Sequence, residues 1–209
     1  MNYHDNHDNH DDHDNHDQNT PIWDDKTAEW YAAEFGDHIS NALTIKNAKL
    51  KQDEYLLEIG CGSGSACREA AKIITEGTII GMDPTPAMIR IATENTPSSI
   101  VQLEYLLGAA ENIPIENDSK TICIAINSLH HWNDYKKGLA EILRVLKPRG
   151  RLIISDEIVS GDSCGHSEGP LSKPTLVIEE IKRAGLVNVK LETFEEDGDG
   201  IYLFRAEKS

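Results

Sequence analysis

The sequence predicts an α/β fold built on one mostly parallel sheet with helices on both faces. Short apolar segments typical of buried strands alternate along the chain with amphipathic helical segments, an order that gives parallel strands joined by crossover helices. The last two apolar segments instead follow one another across a polar turn at residues 197–200. We therefore expect them to pair as an antiparallel hairpin at one edge of the sheet.

The predicted strands are runs of five to eight residues rich in Ile, Leu and Val, and most of them end at Gly, Asp or Asn. Seven are predicted, at Tyr55–Ile59, Thr78–Met82, Val101–Leu107, Thr121–Asn127, Arg151–Ser155, Val187–Phe194 and Ile201–Ala206. Seven strands within one chain of this length fit a single sheet.

The helical segments are recognised by apolar residues that recur at intervals of three and four. The first is a helical lead-in at Trp23–Leu50, in which Trp30 is expected to pack into the core. Further helices are predicted at Ala66–Ile74, from Pro86 onward, at Lys136–Leu146 and at Leu176–Ala184. Thr85 is predicted to cap its helix, because Thr is favoured at the N-cap and Pro at the first helical position.

Length and charge limit the possible functions. The chain has 209 residues, which is the length of one domain, and 39% hydrophobic residues, which suffice for one core. Its net charge is −16, and residues 1–19 contribute six Asp and no Lys or Arg, leaving 30 acidic against 20 basic side chains in the rest. Since nucleic acids and anionic membranes attract basic surfaces, we expect neither as a partner.

Membrane insertion and secretion are not expected either. No apolar run approaches the roughly 20 residues that a membrane helix needs, and the N-terminal residues lack the basic and apolar regions of a signal peptide. Four cysteines, Cys61, Cys67, Cys123 and Cys164, show no disulfide framework. This pattern favours a reducing compartment, so a cytoplasmic location is predicted.

Residues 1–19 are predicted to be a disordered arm, and residues 20–209 a single domain. The arm is rich in Asp and Asn, and its histidines recur at every third position, as His4, His7, His10, His13 and His16. Without apolar residues the arm cannot offset the entropy of ordering. Two interpretations remain open: a solvated low-complexity tail, or an arm that binds Ni, Zn, Cu or Co through its imidazoles.

In an open α/β sheet, ligands bind at the carboxyl ends of the strands, here residues 58–64, 83–88, 108–111, 127–132 and 155–157. The first segment contains Gly60, Gly62 and Gly64, which allow a sharp turn and close approach of a ligand, or form only a tight turn. The sixth-position glycine of a dinucleotide fingerprint is missing. Asp83 ends the second strand about twenty residues further on, where a carboxylate can accept hydrogen bonds from a ribose diol.

Five segments in order, at residues 57–64, 81–88, 108–114, 128–132 and 146–152, resemble the motifs of class I S-adenosylmethionine-dependent methyltransferases, in particular their UbiE-like small-molecule branch. The resemblance covers about residues 25–207. It implies a Rossmann-like, doubly wound, seven-stranded sheet that binds S-adenosylmethionine. The activity it implies is in-line transfer of a methyl group to a small-molecule acceptor.

The resemblance also implies roles for individual residues. The glycine loop would pass along the methionine part of the cofactor, Asp83 would hold the ribose, Met88 would pack on the adenine and Asn127 would lie beside the sulfonium. The full implied set of cofactor contacts is Glu58, Gly60, Cys61, Gly62, Gly64, Asp83, Pro84, Met88, Ala110, Glu111 and Asn127. Ala109 stands where the family often has an Asp for the adenine amino group, so Glu111 or a backbone carbonyl would serve instead.

His130 is the candidate catalytic residue. It follows the fourth strand, and an imidazole can remove a proton near neutral pH, although the segment could also simply pack the next helix. Two alternatives to an ordinary small-molecule acceptor stay open: a metal or metalloid acceptor, suggested by the arm and Cys164, and a non-enzymatic binder whose arm buffers metal ions. The sequence gives no oligomeric state.

Overall fold

The computed structural model of the protein describes residues 22–158, 173–196 and 198–209. The predicted arm at residues 1–19, its boundary with the domain, and the loop that carries Cys164 lie outside these ranges. Within them, no helix has the length and apolar character needed to cross a membrane.

A seven-stranded sheet forms the centre of the molecule, as predicted. Its strands are β1 (Tyr55–Ile59), β2 (Thr78–Asp83), β3 (Leu103–Leu107), β4 (Lys120–Ile126), β5 (Leu146–Glu157), β6 (Val187–Glu196) and β7 (Asp199–Glu207). The spatial order is β3-β2-β1-β4-β5-β7-β6. The first five strands run parallel, whereas β7 is antiparallel to both β5 and β6. The order reverses beside β1, where an α/β sheet opens its ligand crevice.

Helices cover the sheet on both faces. They are α1 (Asp25–Phe35), α2 (Ile39–Asn47), α3 (Ser65–Ala71), α4 (Pro86–Glu94), α5 (Tyr135–Val145) and α6 (Pro174–Arg183). Because neighbouring side chains of a strand point to opposite faces, Leu56 packs into the cluster with α2 and α3, and Leu57 into the one with α5 and α6. Cys123 is buried in the second of these clusters, as expected for a strand residue.

The predicted lead-in is two helices rather than one. The backbone leaves α1 at Gly36, and α2 starts again after His38, whose ring accepts the Ser40 N–H at 3.3 Å. The prediction that Trp30 lies in the core was wrong, because its side chain is 54% exposed and packs edge-on against Phe35. α1 turns its Ala28 side inward, and a residue two positions on lies about 200° around the helix.

Several predicted boundaries also differ from the observed ones. β3 starts at Leu103 rather than Val101, whose side chain is 88% exposed in the preceding turn. α3 ends at Ala71 instead of Ile74. β5 starts at Leu146, directly after α5, because Leu146 already pairs with Lys120 of β4 before the ladder shifts register. Proline and glycine at 148–150 therefore stop the helix without delaying the strand.

Candidate functional site

The loop between β1 and α3 is fastened to the end of β2 and leaves one open position. The N–H groups of Gly60 and Cys61 both donate to the Met82 carbonyl, at 2.8 and 3.0 Å. Gly60 and Gly62 have φ of 73° and 51°, which favour glycine. A Cβ at Gly60 would lie 2.6 Å from the Ser128 Cβ, but one at Gly62 would meet nothing within 4 Å. The loop thus has room for a ligand against the backbone at Gly62.

Asp83, at the end of β2, lies beside this open position. Its side chain is only 7% exposed, and its two oxygens accept the N–H groups of Gly62 at 3.0 Å and Thr85 at 2.9 Å. Burial raises the pKa of this carboxyl, while the two backbone hydrogen bonds act in the opposite direction. A carboxylate has about four lone-pair positions, so each oxygen keeps capacity for a further donor such as a ribose hydroxyl.

Thr85 occupies the N-cap of α4, but the predicted capping by its side chain was wrong. Its hydroxyl makes no hydrogen bond to the first turn of the helix and accepts the Trp23 N–H at 3.4 Å instead. The Asp83 carboxylate satisfies the Thr85 N–H in its place. Trp23 is thereby held next to the segment that follows β2, and Pro86 begins α4 as predicted.

Glu58 lies beneath the glycine loop rather than in the open space. Its carboxylate accepts a hydrogen bond from the Cys67 thiol of α3 at 2.8 Å, and burial raises its pKa to about 7. Burial also raises the thiol pKa of Cys61 and Cys67 well above the usual value, so both remain protonated. The described contacts make Glu58 a support for the loop; its contact with a cofactor stays a prediction.

The residues expected around an adenine are distributed over several elements. Met88 is buried with Ala28 and Ala87, and Trp23 and Tyr31 pack against this group. The remaining predicted positions are distributed as follows: Pro84 is half-buried between β2 and α4, Gly64 precedes α3, Ala110 is buried in the main core, and Glu111 accepts the Asp134 N–H at 3.0 Å. Their roles toward a cofactor stay predictions.

Asn127, just beyond β4, ties three elements together. Its φ is 46°, and its amide donates to the Glu157 carboxylate at 2.6 Å and to the Ser40 hydroxyl at 3.0 Å. Glu157 in turn donates its N–H to the Asn127 Oδ1 and lies 3.1 Å from the His38 ring nitrogen. This network fixes the start of α2 to the ends of β4 and β5. That Asn127 lies beside the sulfonium of a bound cofactor stays a prediction.

His130 lies in a short 3₁₀ turn, Leu129–His131, which begins directly after Ser128 and shortly beyond the end of β4 at Ile126. Its Nδ1 is 3.3 Å from the Asp156 Oδ2 at the end of β5. The His130 and His131 rings are 4.2 Å apart, and His131 contacts Trp23 edge-on at 6.0 Å. Contacts therefore run continuously from Asp83 to Asp156.

Tyr31 of α1 joins the two halves of the site. Burial raises its pKa, and the negative charges of Glu157, Asp156 and Asp83 add to this rise, so all three acids lie near enough to act on the phenol. The sequence indicated the segment 155–157 by its position after β5 but assigned no role within it. The position of Tyr31 near these three acids could not be predicted, because nothing in a helical lead-in shows which residue reaches the strand ends.

Predicted metal ligands do not come together in the part of the chain that the structure describes. There, no three His, Cys, Asp or Glu side chains form a group that could hold a metal ion. The five arm histidines, His4, His7, His10, His13 and His16, lie outside the described residues.

The strand order, the loop with its open position at Gly62, and the buried carboxylate after β2 agree with the Rossmann-like fold that the resemblance to class I S-adenosylmethionine-dependent methyltransferases implied. The comparisons with known proteins agree with this class. Residues 57–154 match the family described as "Methyltransferase domain". This match covers slightly less than half of the chain.

Known relatives extend the likeness beyond this segment. An uncharacterized methyltransferase of Bacillus subtilis, YcgJ, is 31% identical over 140 residues, covering 66% of this chain and 54% of that protein. An arsenite methyltransferase of Halobacterium salinarum is 31% identical over 113 residues, which cover 53% of this chain and 30% of that protein. The matches thus span about half the length of these relatives, or less.

Solved structures share the fold at lower identity. A SAM-dependent methyltransferase from Aquifex aeolicus superposes with a TM-score of 0.74 at 19% identity, covering 90% of this chain and 100% of that one. At this identity the likeness concerns the fold alone.

Proposed function

We propose that the protein transfers a methyl group from S-adenosylmethionine to a small-molecule acceptor. The observation that carries the proposal is the Asp83 carboxylate held against the Gly62 N–H, beside space that a side chain would otherwise fill. A buried acceptor of hydrogen bonds next to open backbone suits a ribose. The matching methyltransferase domain supports the same assignment.

The bound cofactor supplies a methyl group already activated on a sulfonium, so the protein mainly has to bind, align and remove a proton. Asp83 accepts the ribose hydroxyls, and Met88 provides an apolar surface for the adenine. Asn127 is fixed by Glu157 and Ser40, and we assign it to the side of the sulfonium. His130 serves as the base on the acceptor side.

A screen of candidate acceptors with methyl-labelled cofactor tests the proposal, with and without added divalent metals. The wild-type protein should label at least one acceptor, and Asp83→Ala should lose most of that activity at low cofactor concentration. Absence of cofactor binding to the wild-type protein in calorimetry would overturn the proposal, whatever acceptors are tried.

A metalloid acceptor is the second candidate. It is supported by the 31% identity to an arsenite methyltransferase and by Cys164, a thiol of the kind that binds soft metalloids. Arsenite should then be methylated by the full chain, and Cys164→Ser should lower turnover. Equal turnover by the wild type, by Cys164→Ser and by a chain lacking residues 1–19 would contradict a metalloid role for both features.

We also propose that the protein resides in the cytoplasm. A separate proposal is that the arm binds a divalent metal, which would be Ni, Zn, Cu or Co. Imidazoles of His4, His7, His10, His13 and His16 are suitable ligands for these ions. Calorimetric titration of the full chain should reveal sub-micromolar binding that disappears when residues 1–19 are deleted. If deletion leaves metal binding unchanged, the arm is a solvated tail. Strong metal binding without any methyl transfer would instead favour the non-enzymatic buffer.

A further inference from the structure

We propose that a cavity on the sheet binds a small organic molecule that carries a phosphate group. The cavity has a volume of about 360 Å³, and all of its lining residues belong to β5, β6 and β7. Small-molecule pockets have volumes of about 300–1,000 Å³, so this cavity is large enough for such a ligand. The proposed methyl transfer uses no residue of the cavity, which would therefore be a second site.

The cavity lies on the face of the sheet that α2 covers. Ile153, one of the lining residues, packs into the hydrophobic cluster with α2. Arg151 occupies the same face of β5, because side chains two positions apart in a strand point the same way. Asp156, at the cofactor end of β5, is five residues further on, or about 17 Å along the strand. The cavity is thus distinct from the cofactor crevice.

Three basic side chains approach the cavity from three neighbouring strands. Arg205 of β7 pairs in register with Ile153 of β5 and with Lys190 of β6. Arg151 is the diagonal neighbour of Arg205, two positions from Ile153 on β5. Like charges that lie directly opposite each other in a sheet, as Lys190 and Arg205 do, are destabilising. An anion bound between these three groups would relieve their repulsion.

The two arginines are fixed to the end of α2 and keep unused donors. Arg151 donates to the Ala48 carbonyl at 3.0 Å and to the Glu54 carboxylate. Arg205 donates in the same way to a carbonyl of that turn and to the Glu192 carboxylate. Each guanidinium has five N–H donors, so these contacts leave several for a ligand. Both side chains are partly buried and held in place, which lowers the entropic cost of binding.

The charges that line the cavity favour an anion. Arg151, Lys190 and Arg205 line it together with one acid, Glu207, whose carboxylate accepts the Asn188 amide at 2.8 Å. The glutamates that pair with the two arginines do not belong to the lining. Lys190 makes no ion pair with any residue that the structure describes. The cavity therefore presents positive charge in a chain whose net charge is −16.

A phosphate group suits this combination of side chains. The planar fork of arginine matches two phosphate oxygens, and lysine adds a point charge. A phosphate monoester carries about 1.5 to 2 negative charges at neutral pH, more than a single carboxylate, and so neutralises more of the three bases. A water molecule occupies only about 30 Å³, so the cavity has room for an organic group beside the phosphate.

Calorimetric titration of the full chain with glycerol 3-phosphate tests the site. The protein is saturated with S-adenosylhomocysteine, in metal-free buffer of constant ionic strength. We expect a Kd below about 1 mM. Lys190→Gln should weaken binding at least about fivefold, whereas Glu207→Gln should strengthen it by about two- to fivefold, because it removes the negative charge of the lining. The control Lys182→Gln, exposed on α6, should bind like the wild type.

NMR spectra locate the bound ligand independently of the variants. Addition of glycerol 3-phosphate should shift the backbone amide signals of residues 188–190 and 205–207, and leave that of Gly62 unchanged. Shifts confined to the glycine loop would overturn the site. No binding, or equal affinity in the wild type, Lys190→Gln and Glu207→Gln, would overturn it as well.

Two further anions test the class of ligand. Glycerol 3-phosphate should bind more tightly than inorganic phosphate and more tightly than citrate. Equal affinity for inorganic phosphate would contradict a role for the organic group, and tighter binding of citrate would assign the cavity to carboxylates instead. If S-adenosylhomocysteine does not bind, the proposed methyl transfer fails, while the same titration without it still decides whether this site exists.

Discussion

The Asp83 carboxylate accepts the backbone N–H of Gly62 at 3.0 Å and so connects the end of β2 to the open position of the glycine loop. The loop is already fastened to the same strand through the Met82 carbonyl. The side chain proposed to bind the ribose therefore also shapes the backbone along which the cofactor would lie.

Replacing this carboxylate should weaken cofactor binding more than it weakens folding. Hydrogen bonds to a charged group contribute about 1.5–3 kcal/mol each, so Asp83→Ala should lower the affinity for S-adenosylmethionine at least about tenfold in calorimetry. Asp53→Asn, in an exposed loop, provides a control with ordinary affinity. Unaltered affinity in Asp83→Ala would remove Asp83 from the site.

Gly62→Ala should affect cofactor binding strongly and folding only slightly. The new Cβ meets no atom within 4 Å, so only the left-handed backbone opposes it, at about 1 kcal/mol of unfolding free energy. The methyl group would occupy space assigned to the cofactor, and affinity should fall at least about tenfold. Gly198→Ala, also left-handed and open, should show a comparable stability loss with unchanged affinity. Equal affinity in both variants would contradict this placement of the cofactor.

Glu58 should make the protein less stable as pH rises, whereas an acid whose pKa is lowered on folding makes it more stable. Its pKa is about 7 in the folded protein against 4.5 when unperturbed, so the folded state binds more protons between these values. The contribution of Glu58 to the free energy of unfolding should therefore be largest below pH 4.5, fall as pH rises toward 7, and then level off.

Glu58→Gln should abolish this fall, because its amide does not ionise. The stability of the variant relative to the wild type should increase across that interval by up to about 3 kcal/mol, measured by denaturant titration at several pH values. The exposed Glu179→Gln should run parallel to the wild type. If Glu58→Gln also ran parallel, Glu58 would not carry the raised pKa.

Asn127 should resist replacement by alanine more than by glycine. Both variants lose the contacts to Glu157 and Ser40, but only glycine accepts a φ of 46° without strain. We expect Asn127→Ala to be less stable than Asn127→Gly by about 1 kcal/mol in thermal or chemical unfolding. Equal stability would mean that the backbone relaxes once the amide is removed.

The sheet could be predicted from the sequence because its signals are local. A strand such as Tyr55–Ile59 is a compact apolar run, and its five-residue bounds were confirmed. The boundary at Leu146 could not be read in the same way, since pairing with Lys120 extends the strand through proline and glycine. Nor could the exposure of Trp30, which depends on the side of α1 that faces α4.

The site residues likewise differ in whether a single segment of the sequence reveals them. Asp83 was found because a carboxylate directly after a strand is visible in one segment. The pairing of Asp156 with His130 joins positions 26 residues apart, and the network of His38, Asn127 and Glu157 joins three separate segments. Such contacts depend on how elements pack, which periodicity and spacing do not encode.

The position of β7 between β5 and β6 has a consequence for how the protein is made. β6 is translated before β7, yet β7 is its only neighbour among the strands that the structure describes. A growing chain on the ribosome can assemble β1 to β5, but β6 has no partner until β7 has emerged and inserted between them. During that interval the open edge of β5 is available for wrong pairings, which a chaperone or fast synthesis of the hairpin would limit.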